Sequence, residues 1–280
     1  MTGLLLLIIP LAGCSQSAEP DKALPAVKDT VAVIGTGDMG DSFGPRLAAL
    51  GYPVVYGSRT PMSDKVTALV ARTGHGATAT TQKEAAQKAD ILLLAIPWPA
   101  MESVAQNLGD LSGKVVIDMS WPLTDYAEDG YTRFTNETSA AELIQGWNPD
   151  AMVAKAFLTV WSHVIDDPST AGGPVSIPIA SDHRYAKEKT AQIAAALGLH
   201  PADAGPLRYA RNIEALTQLV IIPWAQERDA MWNVYFQPTK FALCHGYSGD
   251  GSDGEYPQPA DIDNLAVIPD TRPPLPPCPE

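Results

Sequence analysis

Three glycines that follow a short apolar run are the residues whose type and spacing point most directly to chemistry. The run Val31-Ala32-Val33-Ile34 continues into Gly35-Thr36-Gly37-Asp38-Met39-Gly40, with the glycines spaced G-x-G-x-x-G. In this pattern a buried strand turns sharply into a helix, and the unpaired N–H groups at the helix N-terminus face a pyrophosphate. We predict that this turn binds the pyrophosphate of a dinucleotide through Gly35, Thr36, Gly37, Asp38, Met39 and Gly40.

A hydroxyl and a guanidinium stand at the end of the second predicted strand. Residues 53–57 form that strand, and Ser58 and Arg59 follow it. A site that prefers NAD presents Asp or Glu to the ribose hydroxyls at this point, whereas Ser and Arg suit a 2′-phosphate. We therefore predict that Ser58 and Arg59 select NADP. The alternative interpretation is that Arg59 is a solvated loop arginine.

Proline and tryptophan mark the ends of two later strands. The apolar run 90–96 ends at Pro97-Trp98, and the strand 114–118 ends close to Trp121. Ligands of open parallel sheets bind outside the carboxyl ends of the strands. The tryptophans either line such a pocket or pack in the core. We predict that the nicotinamide is bordered by Ala95, Ile96 and Pro97.

Predicted strands and helices alternate along the rest of the chain. Helices are predicted at 63–72, 82–88, 101–108, 139–145, 185–197 and 207–224, strands at 77–80, 151–157, 174–180 and 200–204, and an irregular loop at 119–137. Such alternation implies a parallel sheet with right-handed crossovers. The predicted fold class is α/β, with a Rossmann-type doubly wound parallel sheet at 30–150, a small C-terminal α/β portion at 151–235 and a mostly irregular tail at 236–280.

The first residues of the chain look like a bacterial lipoprotein signal. An apolar run at 4–9, too short to span a bilayer, leads to Leu11-Ala12-Gly13-Cys14, but no basic residue precedes it. We predict a signal at 1–14, a flexible linker at 15–29, and a protein in the cell envelope that reaches the membrane only through a lipid anchor at Cys14. The alternative is a misassigned start upstream of a cytoplasmic enzyme.

Composition excludes some function classes and leaves others open. The net charge of -13 argues against nucleic acid as a partner, because binding there depends on clustered Lys and Arg. Neither Cys-x-x-Cys nor His-Glu-x-x-His occurs, so no zinc site is predicted. Cys244 and Cys278 either form a disulfide or are independent thiols. The apolar helix at 207–224 suggests a homodimer.

Several stretches, in order along residues 30–225, resemble the coenzyme F420-dependent NADP oxidoreductase family. They are Gly35-Thr36-Gly37-Asp38-Met39-Gly40, Gly57-Ser58-Arg59, Ala95-Ile96-Pro97-Trp98, Ser139-Ala140-Ala141-Glu142-Leu143-Ile144-Gln145, Lys155-Ala156-Phe157, and Asp203-Ala204-Gly205-Pro206-Leu207 with Ala210-Arg211 and Glu214. The resemblance implies NADP binding through Thr36, Ser58 and Arg59. It also implies direct hydride transfer between the nicotinamide and a deazaflavin ring, which requires no histidine as acid or base.

Two departures from the family pattern leave the electron acceptor open. Leu158 follows Lys155-Ala156-Phe157 where the family usually has Asn, and Trp121 stands where it usually has an Asn before the proline. We predict an NADP-dependent oxidoreductase whose small-molecule redox partner is F420 or a flavin. The alternatives are a ferric or flavin reductase, a non-catalytic NADP-binding module, and a hydroxyacid or imino-acid reductase.

Overall fold

A computed structural model describes residues 28–126, 132–134, 138–225 and 232–236. Up to the last strand of the main sheet, the elements are β1 (Val31–Ile34), α1 (Asp38–Ala49), β2 (Val54–Ser58), α2 (Asp64–Thr73), β3 (Thr78–Thr81), α3 (Gln82–Lys88), β4 (Ile91–Leu94), α4 (Trp98–Asn107), β5 (Val115–Asp118), β6 (Leu123–Tyr126), β7 (Thr132–Phe134), α5 (Ala140–Trp147) and β8 (Met152–Lys155). They are followed by α6 (Ser162–Asp166), β9 (Ser176–Ile179), α7 (Arg184–Ala196), β10 (His200–Asp203) and α8 (Ala210–Ala225), with short 3-10 helices at Pro168–Ala171 and Leu207–Tyr209.

The main sheet has six parallel strands in the order β3-β2-β1-β4-β5-β8. This order is that of the doubly wound dinucleotide-binding fold, and it reverses direction between β1 and β4. The Rossmann-type α/β prediction is therefore confirmed. The carboxyl ends of β1 and β4 meet at the point where such folds bind their ligand.

The central strands of the sheet are mostly apolar because helices cover both faces of the sheet. Alternate residues of β1 enter two separate cores: Val31 and Val33 pack with α1, α6 and α7, whereas Ala32 and Ile34 pack with the α3, α4 and α5 side. Every residue of β1, β4 and β5 is buried. This burial explains why these strands appear in the sequence as continuous apolar runs rather than alternating ones.

The glycines of α1 let this helix lie close to the sheet. A Cβ at Gly44 would come within 1.7 Å of the Tyr56 hydroxyl, which lies under the helix and hydrogen-bonds Thr73 Oγ1 at 2.7 Å. Burial raises the pKa of Tyr56 to about 12. The helix that presents its N-terminus to the expected ligand is thus fixed on β2 by a buried aromatic side chain.

The small C-terminal portion is built on a second, two-stranded parallel sheet of β9 and β10. The strand β8, which the sequence analysis assigned to this portion, is instead the sixth strand of the main sheet, paired with β5. An antiparallel bridge between Lys155 and Ala180 joins the two sheets. A boundary at 150/151 therefore passes through the main sheet rather than between the two sheets.

The region predicted as an irregular loop at 119–137 contains the antiparallel pair β6 and β7. The prediction was wrong for these residues. Their sequences, Leu-Thr-Asp-Tyr and Thr-Arg-Phe, include β-branched and aromatic residues that favour strands, but each run is too short to show a period.

Both chain ends lie largely outside the described residues. These include the predicted signal at 1–14, Cys14, Cys244, Cys278 and the tail from 237 onward. Lys28 and Asp29, at the end of the predicted linker, attach to the folded body: Lys28 Nζ donates to Leu50 O at 2.6 Å and Asp29 pairs with Lys189 at 2.6 Å. Within the described ranges, no helix combines the length and apolar character needed to cross a membrane.

Candidate functional site

The first glycine of the motif makes the turn that the sequence predicts, and it joins three strand ends. Gly35 has a φ of 116°, and a Cβ there would lie 2.2 Å from Ala95 O. Its N–H donates to Gly57 O at 3.0 Å. The ends of β1, β2 and β4 therefore meet at Gly35, a position that only glycine can occupy without strain.

The N-terminus of α1 is left open for a ligand. Gly37 is the N-cap and provides no side chain to bond the first N–H groups of the helix, and a Cβ added to it would meet nothing within 4 Å. A Cβ at Gly40 would instead lie 2.2 Å from Gly35 O. Gly37 thus gives room for a phosphate, Gly40 permits close packing, and the helix dipole favours an anion. Thr36, Asp38 and Met39 lie in the same turn.

The end of β2 supplies a buried hydroxyl and an exposed cation. Ser58 is buried, and its Oγ accepts a hydrogen bond from Thr60 N at 3.2 Å, so the hydroxyl proton remains available to a ligand. Arg59 is exposed and makes no hydrogen bond or ion pair with other residues of the described ranges. Its guanidinium is available for a bidentate contact with a phosphate.

The end of β4 borders the same turn. Ala95 and Ile96 are half-buried next to Gly35, with Ile96 Cγ2 at 3.0 Å from the position of a Gly35 Cβ, and Pro97 is the exposed N-cap of α4. Trp98 stacks on Trp147 of α5, with ring centroids 6.0 Å apart and an interplanar angle of 23°. Of the two interpretations of this tryptophan, the structure supports packing between helices.

The structure brings together all three groups of residues that the sequence analysis predicted. Gly35 to Gly40, Ser58 and Arg59, and Ala95 to Pro97 stand at three adjacent strand ends. Their role in holding a cofactor stays a prediction that the arrangement supports. An uncapped helix N-terminus beside a free guanidinium suits a ligand with a pyrophosphate and a further phosphate.

A buried charge cluster at the ends of β5 and β8 was missed by the sequence analysis. Lys155 Nζ lies 2.9 Å from Asp118 Oδ2 and 2.9 Å from Glu214 Oε1, and all three side chains are at most 3% exposed. Asp118 and Lys155 are register partners on adjacent strands, and Glu214 comes from α8. One sequence signal was a lysine and an aspartate at the ends of otherwise apolar strands, where charged residues are rarely buried unless paired. A second was that Lys155 and Glu214 stand in stretches that resemble the family, but neither signal places the three residues together.

Burial and the neighbouring charges act in opposite directions on the pKa values of Lys155 and Glu214. Burial alone would lower the pKa of the Lys155 ammonium, but the carboxylates of Asp118 and Glu214 outweigh it and the pKa is raised. Burial raises the pKa of Glu214 against the opposing effect of Lys155. The lysine at the carboxyl end of β8 therefore holds its proton firmly.

Four polar atoms in the loops after β5 and β8 are buried without a hydrogen-bond partner in the described part of the chain. They are Ser120 Oγ, Trp121 Nε1, Thr159 Oγ1 and Trp161 Nε1. Buried polar atoms are normally bonded, so each such atom needs an explanation. All four can donate a hydrogen bond. They follow β5, which pairs with β4, and β8, which is the next strand in the sheet.

The histidines lie apart from these features. His75, His163 and His200 are exposed, His183 is the N-cap of α7, and His245 lies outside the described residues. In the ranges that the structure describes, no three His, Cys, Asp or Glu side chains form a group that could hold a metal ion.

Comparison with known proteins gives a family for this arrangement. Residues 30–122 match the family model described as NADP oxidoreductase, coenzyme F420-dependent. The F420-dependent NADP reductase of Methanothermobacter marburgensis is 32% identical over 205 residues, which cover 68% of this chain and 90% of that enzyme. The chain belongs to this family. It is an NADP oxidoreductase of the Rossmann type, and the family resemblance predicted from the sequence is confirmed.

Two further similarities extend the comparison. A crystal structure of a candidate F420-dependent NADP-reductase from Arthrobacter sp. FB24 aligns with a TM-score of 0.68 and 25% identity over 75% of this chain and 100% of that one. The metalloreductase STEAP3 of Rattus norvegicus is 28% identical over 201 residues, but these cover only 39% of that protein. The chain therefore spans about two fifths of the length of this second relative.

Proposed function

We propose that the protein transfers a hydride between NADP(H) and a deazaflavin- or flavin-type acceptor such as F420. The observation that supports this most directly is the open N-terminus of α1 beside Ser58 and Arg59, which suits a dinucleotide carrying a 2′-phosphate. The similarity of this chain, over about two thirds of its length, to two F420-dependent NADP reductases supports F420 as the acceptor.

The residues of this chain bind and orient rather than exchange protons. When bound, the nicotinamide supplies the hydride chemistry. The turn at Gly35 to Gly40 would hold the pyrophosphate, Ser58 and Arg59 the 2′-phosphate, and Ala95, Ile96 and Pro97 would border the nicotinamide. The apolar side chains at the β4 end would contact the nicotinamide, and direct hydride transfer to a stacked ring requires no acid or base from the protein.

Reduction of a ferric chelate is the second candidate. The similarity to STEAP3, a protein named as a metalloreductase, favours it. In that case the acceptor binds at the same edge of the sheet, because the nicotinamide end of the dinucleotide does not change.

NADPH oxidation with F420, FMN or ferric citrate added in turn tests the proposal. We expect turnover with F420 or FMN, followed as loss of NADPH fluorescence, and no turnover in the absence of an acceptor. Tight NADPH binding without turnover by any of the three acceptors would contradict the proposal and favour a module that only binds NADP.

We also propose that the mature protein is anchored through a lipid on Cys14, with a cytoplasmic enzyme as the alternative. The apolar run that ends at Leu11-Ala12-Gly13-Cys14 supports the anchor. An anchored enzyme would have to retain its nucleotide tightly, because free NADPH is cytosolic. Mass spectrometry of the membrane fraction should show a lipid-modified N-terminus at Cys14, and an unmodified Met1 in membrane-free extract would exclude it.

For assembly, we propose a homodimer through α8. Leu219 and Trp224 on this helix are 55% and 52% exposed, which is unusual for large apolar side chains on one helix. Light scattering should give the mass of two chains for the native protein and a smaller mass for Leu219→Glu. A monomeric native protein would exclude this assembly.

A further inference from the structure

The buried cluster at the ends of β5 and β8 satisfies every proton of its lysine. Lys155 Nζ donates to Asp118 Oδ2 at 2.9 Å, to Glu214 Oε1 at 2.9 Å, and to the backbone oxygen of Ser120 at 2.5 Å. An ammonium has three donors, and all three are used. The cluster therefore has one defined geometry.

Stability alone does not account for such a cluster. Removing charges from water costs about as much as their mutual attraction returns, so a buried ion pair is weak support for stability, and apolar replacements are often neutral or better. Ligands of open parallel sheets bind outside the carboxyl ends of the strands. This cluster lies at the carboxyl ends of two neighbouring strands.

The cluster holds the backbone of Ser120 through its N–H and its carbonyl oxygen. Asp118 Oδ1 accepts from Ser120 N at 2.8 Å, while Lys155 Nζ donates to the carbonyl oxygen of the same residue. Ser120 is thus held on both sides. Glu214 also accepts from Ala140 N at 2.9 Å, so α8 and the start of α5 are tied to the same point.

The held segment carries donors that nothing in the described chain uses. Ser120 is 5% exposed, and its Oγ has no hydrogen-bond partner. The indole N–H of Trp121 is also buried without a partner. Leaving a buried donor unsatisfied costs about 1–3 kcal/mol. A fixed loop with unsatisfied donors is what a preorganised binding site requires.

The backbone of the neighbouring loop, which follows β8, also has an unusual conformation. Phe157 has a φ of 61°, which is rare for a bulky buried residue, and its ring packs edge-on against Phe43 of α1 at 5.1 Å. Beyond it lie the unpartnered Thr159 Oγ1 and Trp161 Nε1. Strained backbone of this kind clusters at ligand sites.

We propose that Lys155, Asp118 and Glu214 are positioning residues that hold Ser120 and Trp121 so that their hydroxyl and indole N–H bind oxo groups of the hydride acceptor. This inference rests on the proposed function. An indole offers only a donor, so the ligand must present acceptors, as the carbonyl groups of a deazaflavin or flavin ring do.

The main test compares Lys155→Met with Lys187→Met. Lys187 forms a partly buried ion pair with Asp203 at 2.9 Å in the C-terminal portion, so its variant controls for loss of an ion pair elsewhere. For Lys155→Met we expect the KM for F420 or FMN to rise about 10-fold or more, because misplaced positioning groups cost up to roughly 100-fold, while the Kd for NADPH changes less than about 2-fold. Lys187→Met should leave both constants unchanged.

Two milder variants keep the test independent of folding. Ser120→Ala and Trp121→Phe each remove a donor that has no protein partner and leave the backbone bonds of the cluster in place. Each should raise the acceptor KM without lowering the melting temperature. The double variant Lys155→Met with Ser120→Ala should be no worse than Lys155→Met alone, because both changes act through one residue.

Distinct outcomes separate this inference from the proposed function. If the native protein binds NADPH but transfers no hydride to F420, FMN or ferric citrate, the proposed function fails, and this inference fails with it. If the native protein is active and Ser120→Ala and Trp121→Phe keep the native acceptor KM, only the positioning role is overturned. Equal losses for Lys155→Met and Lys187→Met would overturn it as well, because they indicate a general loss of stability.

Discussion

Replacing Arg59 by glutamate should weaken NADPH binding about 10- to 100-fold and leave NADH binding unchanged or stronger. Arg59 is exposed at the end of β2 and unpaired within the described ranges, so its guanidinium is free to form two parallel bonds with a 2′-phosphate. Glutamate reverses the charge at that point and offers a carboxylate to the 2′-hydroxyl of NADH. Fluorescence or calorimetric titration of both nucleotides measures the change.

Two further variants serve as a comparison and a control for Arg59→Glu. Arg59→Ala should have a smaller effect than the charge reversal, because the Ser58 hydroxyl can still bond a phosphate oxygen. Arg184→Glu makes the same change in net charge on α7, where the arginine is 69% exposed and paired with Glu188, and it should leave NADPH affinity nearly unchanged. An equal loss of NADPH and NADH affinity in Arg59→Glu would show that Arg59 is a solvated or structural residue.

Alanine at Gly40 should damage the fold and NADPH binding together, whereas alanine at Gly37 should damage binding alone. A Cβ at Gly40 would stand 2.2 Å from the Gly35 carbonyl oxygen, so α1 must move, at a cost of about 1–3 kcal/mol or more. Gly37 has a φ of -84° and open space around it, so alanine fits there at a cost within about 1 kcal/mol. Its methyl group, however, occupies the room that a pyrophosphate requires.

Thermal unfolding and NADPH titration of the two variants, measured side by side, separate these effects. We expect a near-native melting temperature and an NADPH Kd raised at least about 10-fold for Gly37→Ala, from the loss of charge-assisted backbone bonds. For Gly40→Ala we expect both quantities to worsen. Native NADPH affinity in Gly37→Ala would show that the phosphates do not approach this glycine.

Local features of the sequence are enough to predict the dinucleotide-binding part of the fold. The G-x-G-x-x-G spacing, the apolar strand before it and the Ser-Arg pair after the next strand are local features, set by backbone conformation and by which faces of a strand are buried. Gly35 shows why this works: its φ of 116° and its contact with Ala95 admit only glycine, so the requirement is visible in the residue itself.

Long-range pairing of strands determines which residues meet at the carboxyl ends of β5 and β8. Asp118 and Lys155 are 37 positions apart, and they become register partners only because β8 adds to the edge of the main sheet next to β5. The chain pattern equally allowed β8 to begin a separate portion, since a short apolar strand does not specify its neighbour. Trp98 likewise could line a pocket or pack in the core until α5 placed Trp147 against it. Long-range pairing of strands and helices depends on the whole core, and for that reason the lysine cluster and the donors that it holds could not be deduced from the order of residues.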